Sequence, residues 1–256
     1  MLHYHRFISS MLETAVHWQM IPENPCSRIK APKSDTGETQ YLDETEAARL
    51  IQALNDEPPI YRTVILLLLN TGLRRGELCA LRWGDLDFEK GTLQVRQSAT
   101  YLAGKGIVVD APKTQASSRV IRLPASCLPM LRQYRATQME ARLAVGDQWE
   151  DNDFIFTAWN GTALRPDTLT KWFRKFIDRN DLPPITLHGL RHTNATLLIA
   201  AGVNLRTVSG RLGHSRAATT ANIYAHAIQS ADAAAAEAID DVLAPKPPKG
   251  RNPAVS

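Results

Sequence analysis

The chain has 256 residues, room for one large domain or a domain plus a fragment of another. It is 44% hydrophobic and 7% aromatic, and its longest apolar run, Val64 to Leu69, is far below the roughly 20 residues of a membrane span. Cys26, Cys79 and Cys127 fit neither a zinc spacing nor a disulfide framework, and the N-terminus MLHYHRFISS has no apolar signal core, so a reducing cytosol is expected. The formal charge of +4 is weak support for a polyanionic partner. Lys246, Lys249 and Arg251 all lie beyond Asp241, and without them the body carries a net charge of one.

Residues 3–20 have a helical pattern, with Phe7, Ile8, Met11, Leu12, Ala15 and Val16 recurring at three- and four-residue spacing. Pro22, Pro25 and Pro32 break it, and Ser27 to Thr39 reads as a linker. A single helix cannot bury its apolar face alone, so this one is expected to dock on another unit. Asp43, with Glu46 as capping-box partner, starts a helix through Leu54. Tyr61 to Asn70 reads as a buried helix ending near Gly72, and Arg75 to Arg82 as a further short one.

The period then changes to two. Thr92 to Arg96, Ile107 to Val109 and Val120 to Leu123 are expected as strands of one small antiparallel sheet, with turns AGKG and KTQASS. Helix returns from Cys127 to Ala144, a short strand is expected at Phe154 to Phe156, and Pro166 opens a helix through Asp178. The KWFRKFIDR stretch in that helix mixes Lys171, Arg174, Lys175 and Arg179 with Trp172, Phe173 and Phe176. Helices are expected at Leu190–Ala201, Leu205–Leu212, Ala217–Ala225 and Ala231–Leu243, with a disordered tail beyond Pro245.

The chemistry lies in five strings: TGLRRGEL with Arg74, APKTQASSR with Lys113, LHGLRHT with His188 and Arg191, RLGHS with His214, and NIYAH with Tyr224. A tyrosine, two arginines, a lysine and histidines are the groups needed to attack a phosphodiester without a metal. The arginines hold phosphate oxygens in bidentate fashion, the tyrosine is the nucleophile, and the lysine and histidines move protons. Seen alone, each string has a plainer meaning. A lysine in a hairpin turn is usually solvated, a tyrosine in a helix is usually structural, and an arginine after a helix is usually exposed. His188 and His192 are four apart, as in the zinc-protease motif, but Gly189 stands where that motif needs glutamate. Arg75 and Lys105 are the neighbouring decoys for Arg74 and Lys113. The stretch from Val203 to Tyr224 also has the look of a helix-turn-helix reader, but a groove-binding module does not need Arg74, Lys113 or the His188–Arg191 pair.

The strings and their order resemble the catalytic domain of the tyrosine recombinases, the phage and transposon integrase family. His214 lies 23 residues beyond Arg191 and Tyr224 lies 10 further on, spacings that match the family. The resemblance implies a mainly α fold with a small antiparallel β-sheet, of the integrase-like catalytic type. It implies a catalytic set of Tyr224, Arg74, Lys113, His188, Arg191 and His214, with Glu77 orienting Arg74. It implies no cofactor and no metal.

By the same resemblance, residues 1–33 are expected to be the end of a core-binding domain plus linker, cut from a longer protein by nature or by cloning. Residues 34–243 are then the catalytic domain and 244–256 a basic tail. The implied partners are double-stranded DNA attachment sites, copies of the chain in a homotetramer on DNA and a directionality factor, with the free chain a monomer in the cytoplasm, nucleoid-associated in action. The implied function is site-specific integration and excision of a phage or mobile element. A type IB topoisomerase-like enzyme and a non-catalytic DNA-binding fragment are the alternatives.

Overall fold

The computed structural model describes residues 1–32, 40–110 and 118–213. The chain divides into two compact units, residues 1–39 and 40–256.

In the first unit, α1 (Leu2–His17) carries Tyr4, Phe7, Met11 and, just past its end, Trp18 in exposed positions. Asn24 anchors the chain that follows. Its amide donates to the Ser9 carbonyl at 2.9 Å and to Glu13 Oε2 at 2.8 Å, while its own oxygen caps a 3-10 turn at Pro25–Arg28.

The second unit opens at α2 (Glu44–Ala53). The Asp43 carboxylate accepts from the Glu46 amide at 2.7 Å and the Glu46 carboxylate accepts from the Asp43 amide at 3.0 Å, a reciprocal cap. α3 (Pro59–Thr71) is the central helix. Val64, Ile65, Leu67 and Leu68 are all buried, and each such side chain stabilises the fold by roughly 1.5–3 kcal/mol. Gly72 ends it in the left-handed conformation at φ 65°. A Cβ on Gly72 would lie 2.5 Å from Leu212 Cδ2 and 2.8 Å from Asn194 Oδ1, so both the backbone angle and the close approach require glycine. α4 (Arg75–Cys79) is shorter than its sequence pattern suggests, because the chain turns at Ala80 and forms a 3-10 turn at Trp83–Asp85.

The β region is two sheets rather than one. β1 (Leu86–Asp87), β2 (Thr92–Val95) and β5 (Arg119–Arg122) form an antiparallel sheet in the order β1-β2-β5. β3 (Ser98–Leu102) and β4 (Gly106–Asp110) form a separate antiparallel hairpin. Leu93 pairs with Ile121 on the inward face of the first sheet, both buried, while Val120 points outward. The hairpin packs on α4 through β3.

α5 (Cys127–Val145) places Tyr134 against Phe156 and Gln138 under Trp83, whose indole donates to Gln138 Oε1 at 2.8 Å. The expected strand at Phe154–Phe156 does not form. Phe154 makes a single bridge to Arg82, and the Gln138 amide takes the Phe154 and Ile155 carbonyls that a strand partner would use. α6 (Pro166–Arg179) buries Phe173 and Phe176, stacks Trp172 on Tyr61 at 4.0 Å, and leaves Lys171, Arg174 and Lys175 exposed. α7 (Leu187–Ala200) packs on α3 and begins earlier than its apolar pattern, since the Thr186 hydroxyl caps it by accepting from the Gly189 amide at 3.0 Å. α8 (Leu205–Leu212) packs on α7 around Ala195, Ile199, Val208 and Leu212. Among the described residues no helix is long and apolar enough to cross a membrane. The expected helices at Ala217–Ala225 and Ala231–Leu243 and the tail lie outside the described residues.

Candidate active site

Arg74 is held by its own helix start. It precedes α4 in an extended conformation, and Glu77, three residues on, folds back under it. Glu77 Oε2 accepts from the Arg74 backbone amide at 2.9 Å, and Oε1 accepts from Arg74 Nη1 at 2.7 Å. Arg119, from β5, grips the same carboxylate from the other side. Its Nη1 donates to Oε1 at 3.1 Å and its Nη2 to Oε2 at 2.8 Å, the fork geometry that fixes a carboxylate plane. Burial works to raise the pKa of Glu77, but the hydrogen bonds and charge of Arg119, with the bonds from Arg74, outweigh it and hold the carboxyl below its ordinary range.

Arg191 comes from α7 and is only 2% exposed. Its Nη1 donates to the Gly72 carbonyl at 2.7 Å and its Nη2 to the Leu212 carbonyl at 2.7 Å. Arg74 Nη2 reaches the next carbonyl, Gly213, at 3.2 Å, and Arg119 Nε reaches the preceding one, Arg211, at 2.7 Å. Three arginines from three elements therefore hold three consecutive carbonyls at the end of α8. Helix C-terminal carbonyls carry partial negative charge, which suits this ring of cations. Gly213 closes the helix at φ 70°, and a Cβ there would lie 2.8 Å from Arg119 Nη1. His214 is the next residue in the chain.

His188 lies one turn before Arg191. With Arg74, Arg75, Ser98, Tyr101 and Thr170 it lines a groove of about 530 Å³. Burial, followed by the charges of Arg191 and Arg74, lowers its pKa. His192 meets it edge-on at 4.7 Å and is lowered to about 4 by burial, His188 and Arg191. At neutral pH both rings are therefore neutral, each with one donor and one acceptor nitrogen. The decoy Arg75 lines the same groove but is held on its α6 side, donating to Thr170 Oγ1 at 2.6 Å and pairing with Asp167 at 3.5 Å. Among the described residues no group of three or more His, Cys, Asp or Glu could hold a metal ion.

Of the residues singled out from sequence, Arg74, Glu77, His188 and Arg191 are brought together. Lys113, His214 and Tyr224 lie outside the described residues. The sequence reading missed Arg119. A signal for it existed: Arg119 and Ile121 are two apart in a strand, so both sit on the inward face, and an inward arginine requires a partner.

The model of the phage integrase family matches residues 40–230. The chain belongs to the phage integrase family. The matched span contains every string from TGLRRGEL to NIYAH, so the resemblance read from those motifs holds at the level of the family. Relatives include a XerC-like tyrosine recombinase of Caldanaerobacter subterraneus subsp. tengcongensis, 34% identical over 93% of this chain and 64% of its own length. The ICEBs1 integrase of Bacillus subtilis is 30% identical over 92% of this chain and 64% of its own. The chain thus spans a little under two thirds of the length of these relatives. Among solved structures, the Tn1549 transposon integrase in complex with a circular intermediate DNA matches with a TM-score of 0.76 and 25% identity, over 92% of this chain and 78% of that one. A XerA recombinase matches with a TM-score of 0.59 and 25% identity, over 85% and 68%. These integrase-family neighbours share the helix-rich fold with small antiparallel sheets described above.

Proposed function

We propose that this chain carries the catalytic portion of a site-specific DNA recombinase, which cuts and rejoins duplex DNA through a 3′-phosphotyrosine intermediate. The observation that carries this reading is the convergence of Arg74 and Arg191 on the end of α8, immediately before His214 and the segment that contains Tyr224, with His188 lining the groove that Arg74 also lines.

In the proposed reaction the Tyr224 oxygen attacks the scissile phosphorus in line. The bond from phosphorus to the 5′-oxygen breaks, and that oxygen takes a proton from Lys113. Arg74 and Arg191 stabilise the charge on the non-bridging oxygens, a task that preorganised cations perform without reorganising. Each Nη of a guanidinium carries two hydrogens, so one nitrogen can serve two acceptors. Neutral His188, with His214, adds hydrogen bonds. The freed 5′-hydroxyl of a partner strand reverses the step. The ordinary tyrosine pKa is about 10, so the cations must also favour the phenolate.

The proposal extends to the partners. Duplex DNA attachment sites are the substrate, four copies assemble on two duplexes, the free chain is a monomer, and a directionality factor selects integration or excision. Residues 1–33 are proposed to belong to a DNA core-binding unit, a reading supported by the exposed Tyr4, Phe7, Met11 and Trp18. Action is proposed at the nucleoid, on the ends of a phage or other mobile element.

The test is covalent capture. Wild-type protein is incubated with a pool of nicked duplexes of random sequence, and DNA that stays on the protein in SDS is recovered and sequenced. Tyr224→Phe is expected to lose all SDS-stable adduct and to keep its affinity for the selected duplex. An adduct that survives in the Phe variant would remove Tyr224 as the nucleophile.

A further inference from the structure

We propose that Arg119 is a positioning residue for strand cleavage: it holds Glu77 so that Arg74 keeps both its orientation and its positive charge for the phosphate. This role rests on the cleavage reading above. The Arg119 guanidinium is turned to Glu77 through both Nη atoms and to the Arg211 carbonyl through Nε, so the role assigned to it is exercised through Glu77 and Arg74.

The geometry gives the mechanism. Each Glu77 oxygen is shared between the two arginines: Oε1 between Arg74 Nη1 and Arg119 Nη1, Oε2 between the Arg74 amide and Arg119 Nη2. A glutamate carboxylate on its own turns easily about its terminal torsion. The Arg119 fork removes that freedom and so sets the direction from which Arg74 is held. Charge points the same way. Arg74, Arg119 and Glu77 together carry one net positive charge. Without Arg119, Glu77 cancels Arg74 and leaves nothing over for a phosphate. The Nε bond to the Arg211 carbonyl adds a second link, from the Arg74–Glu77 pair to the end of α8 that precedes His214.

A residue that acts only through Arg74 must lose its effect on rate when Arg74 is already impaired, whereas a purely structural residue adds its effect regardless. The full chain is compared as wild type, Arg119→Met, Arg74→Lys and the double variant, on a duplex selected by the wild type. The rate of SDS-stable adduct formation, duplex affinity and melting midpoint are measured for each, at a temperature where all are folded. Arg119→Met is expected to slow adduct formation about 10-fold or more, with affinity within about three-fold of wild type. In the Arg74→Lys background the same change is expected to slow it less than about two-fold further. If Arg119→Met does not fold, Arg119→Lys makes the comparison for orientation alone, since it retains the charge and loses only the fork. Rate losses that multiply, or a rate that follows the melting midpoint alone, would overturn the positioning role. A wild-type chain that forms no adduct would remove the cleavage reading itself, and this role with it.

Discussion

Arg191→Lys tests whether the buried arginine of α7 has two duties. In the structure its guanidinium bridges the Gly72 and Leu212 carbonyls, each at 2.7 Å, and so ties the end of α3 to the end of α8. A lysine ammonium is a point charge on an unforked stem and cannot span both carbonyls in that planar geometry. One charge-assisted hydrogen bond is therefore lost and one buried carbonyl is left without its donor. Hydrogen bonds to charged groups contribute about 1.5–3 kcal/mol. A loss of about 2 kcal/mol lowers the melting midpoint by roughly 4–8 °C in a domain of this size. The same substitution removes a preformed donor from the phosphate site and is expected to slow cleavage on the order of 10²-fold. Arg74→Lys is the control, because the Arg74 side chain is 39% exposed and the buried Glu77 keeps its Arg119 fork when Arg74 is changed. It should cost a similar factor in rate and little in stability. Thermal unfolding and single-turnover adduct formation on both variants separate the two effects. If Arg191→Lys melts within about 1 °C of wild type, the carbonyl bonds hold nothing and the structural half of the argument fails. If its cleavage rate stays within a few-fold of wild type, Arg191 is not part of the phosphate clamp.

Two further outcomes are expected. Cleavage should proceed undiminished in excess chelator, since the proposed site is built from cations and, among the described residues, offers no carboxylate cluster for magnesium; loss of cleavage that magnesium restores would reject the mechanism. Stability should fall as pH is lowered from about 6.5 towards 4, because His188 and His192 both titrate lower in the folded chain, His192 at about 4, while the unfolded chain takes up those protons first. Urea unfolding at pH 7.5, 5.5 and 4.5 checks this, and His192→Asn should flatten the slope; a variant with the wild-type slope would show that His192 is not responsible.

Features written in neighbouring residues were legible in the sequence. The Asp43–Glu46 cap, the glycine end of α3 at Gly72, the proline start of α6 and the full span of α8 all depend on local chemistry, and all appear as read. What was misread depends on distant partners. β3 was missed and the two sheets were read as one, because which strand pairs with which is decided across the fold rather than along the chain. Phe154–Phe156 has the apolar content of a strand, but Gln138, from α5, takes its carbonyls. The sequence pattern places the start of α7 at Leu190, whereas the Thr186 side-chain cap sets it at Leu187. Arg74, Glu77, His188 and Arg191 were found through their strings, and the structure places them together. Lys113, His214 and Tyr224 were found the same way, and they lie outside the described residues. Arg119 ends the APKTQASSR string, where Lys113 drew the attention; its partner Glu77 is 42 residues away in sequence.

The grip on the end of α8 also restricts how the chain can change in length. Successive carbonyls of a helix point about 100° apart around its axis. Arg119 and Arg191 therefore approach the Arg211 and Leu212 carbonyls from different sides, and Arg74 meets the carbonyl of Gly213, which has left the helix in the left-handed conformation, like the jaws of a chuck. A substitution can open one jaw and leave two closed. An insertion or deletion of a single residue within α8 would rotate all three carbonyls away from their donors at once. The number of residues in α8 is thus fixed by rotation as well as by packing.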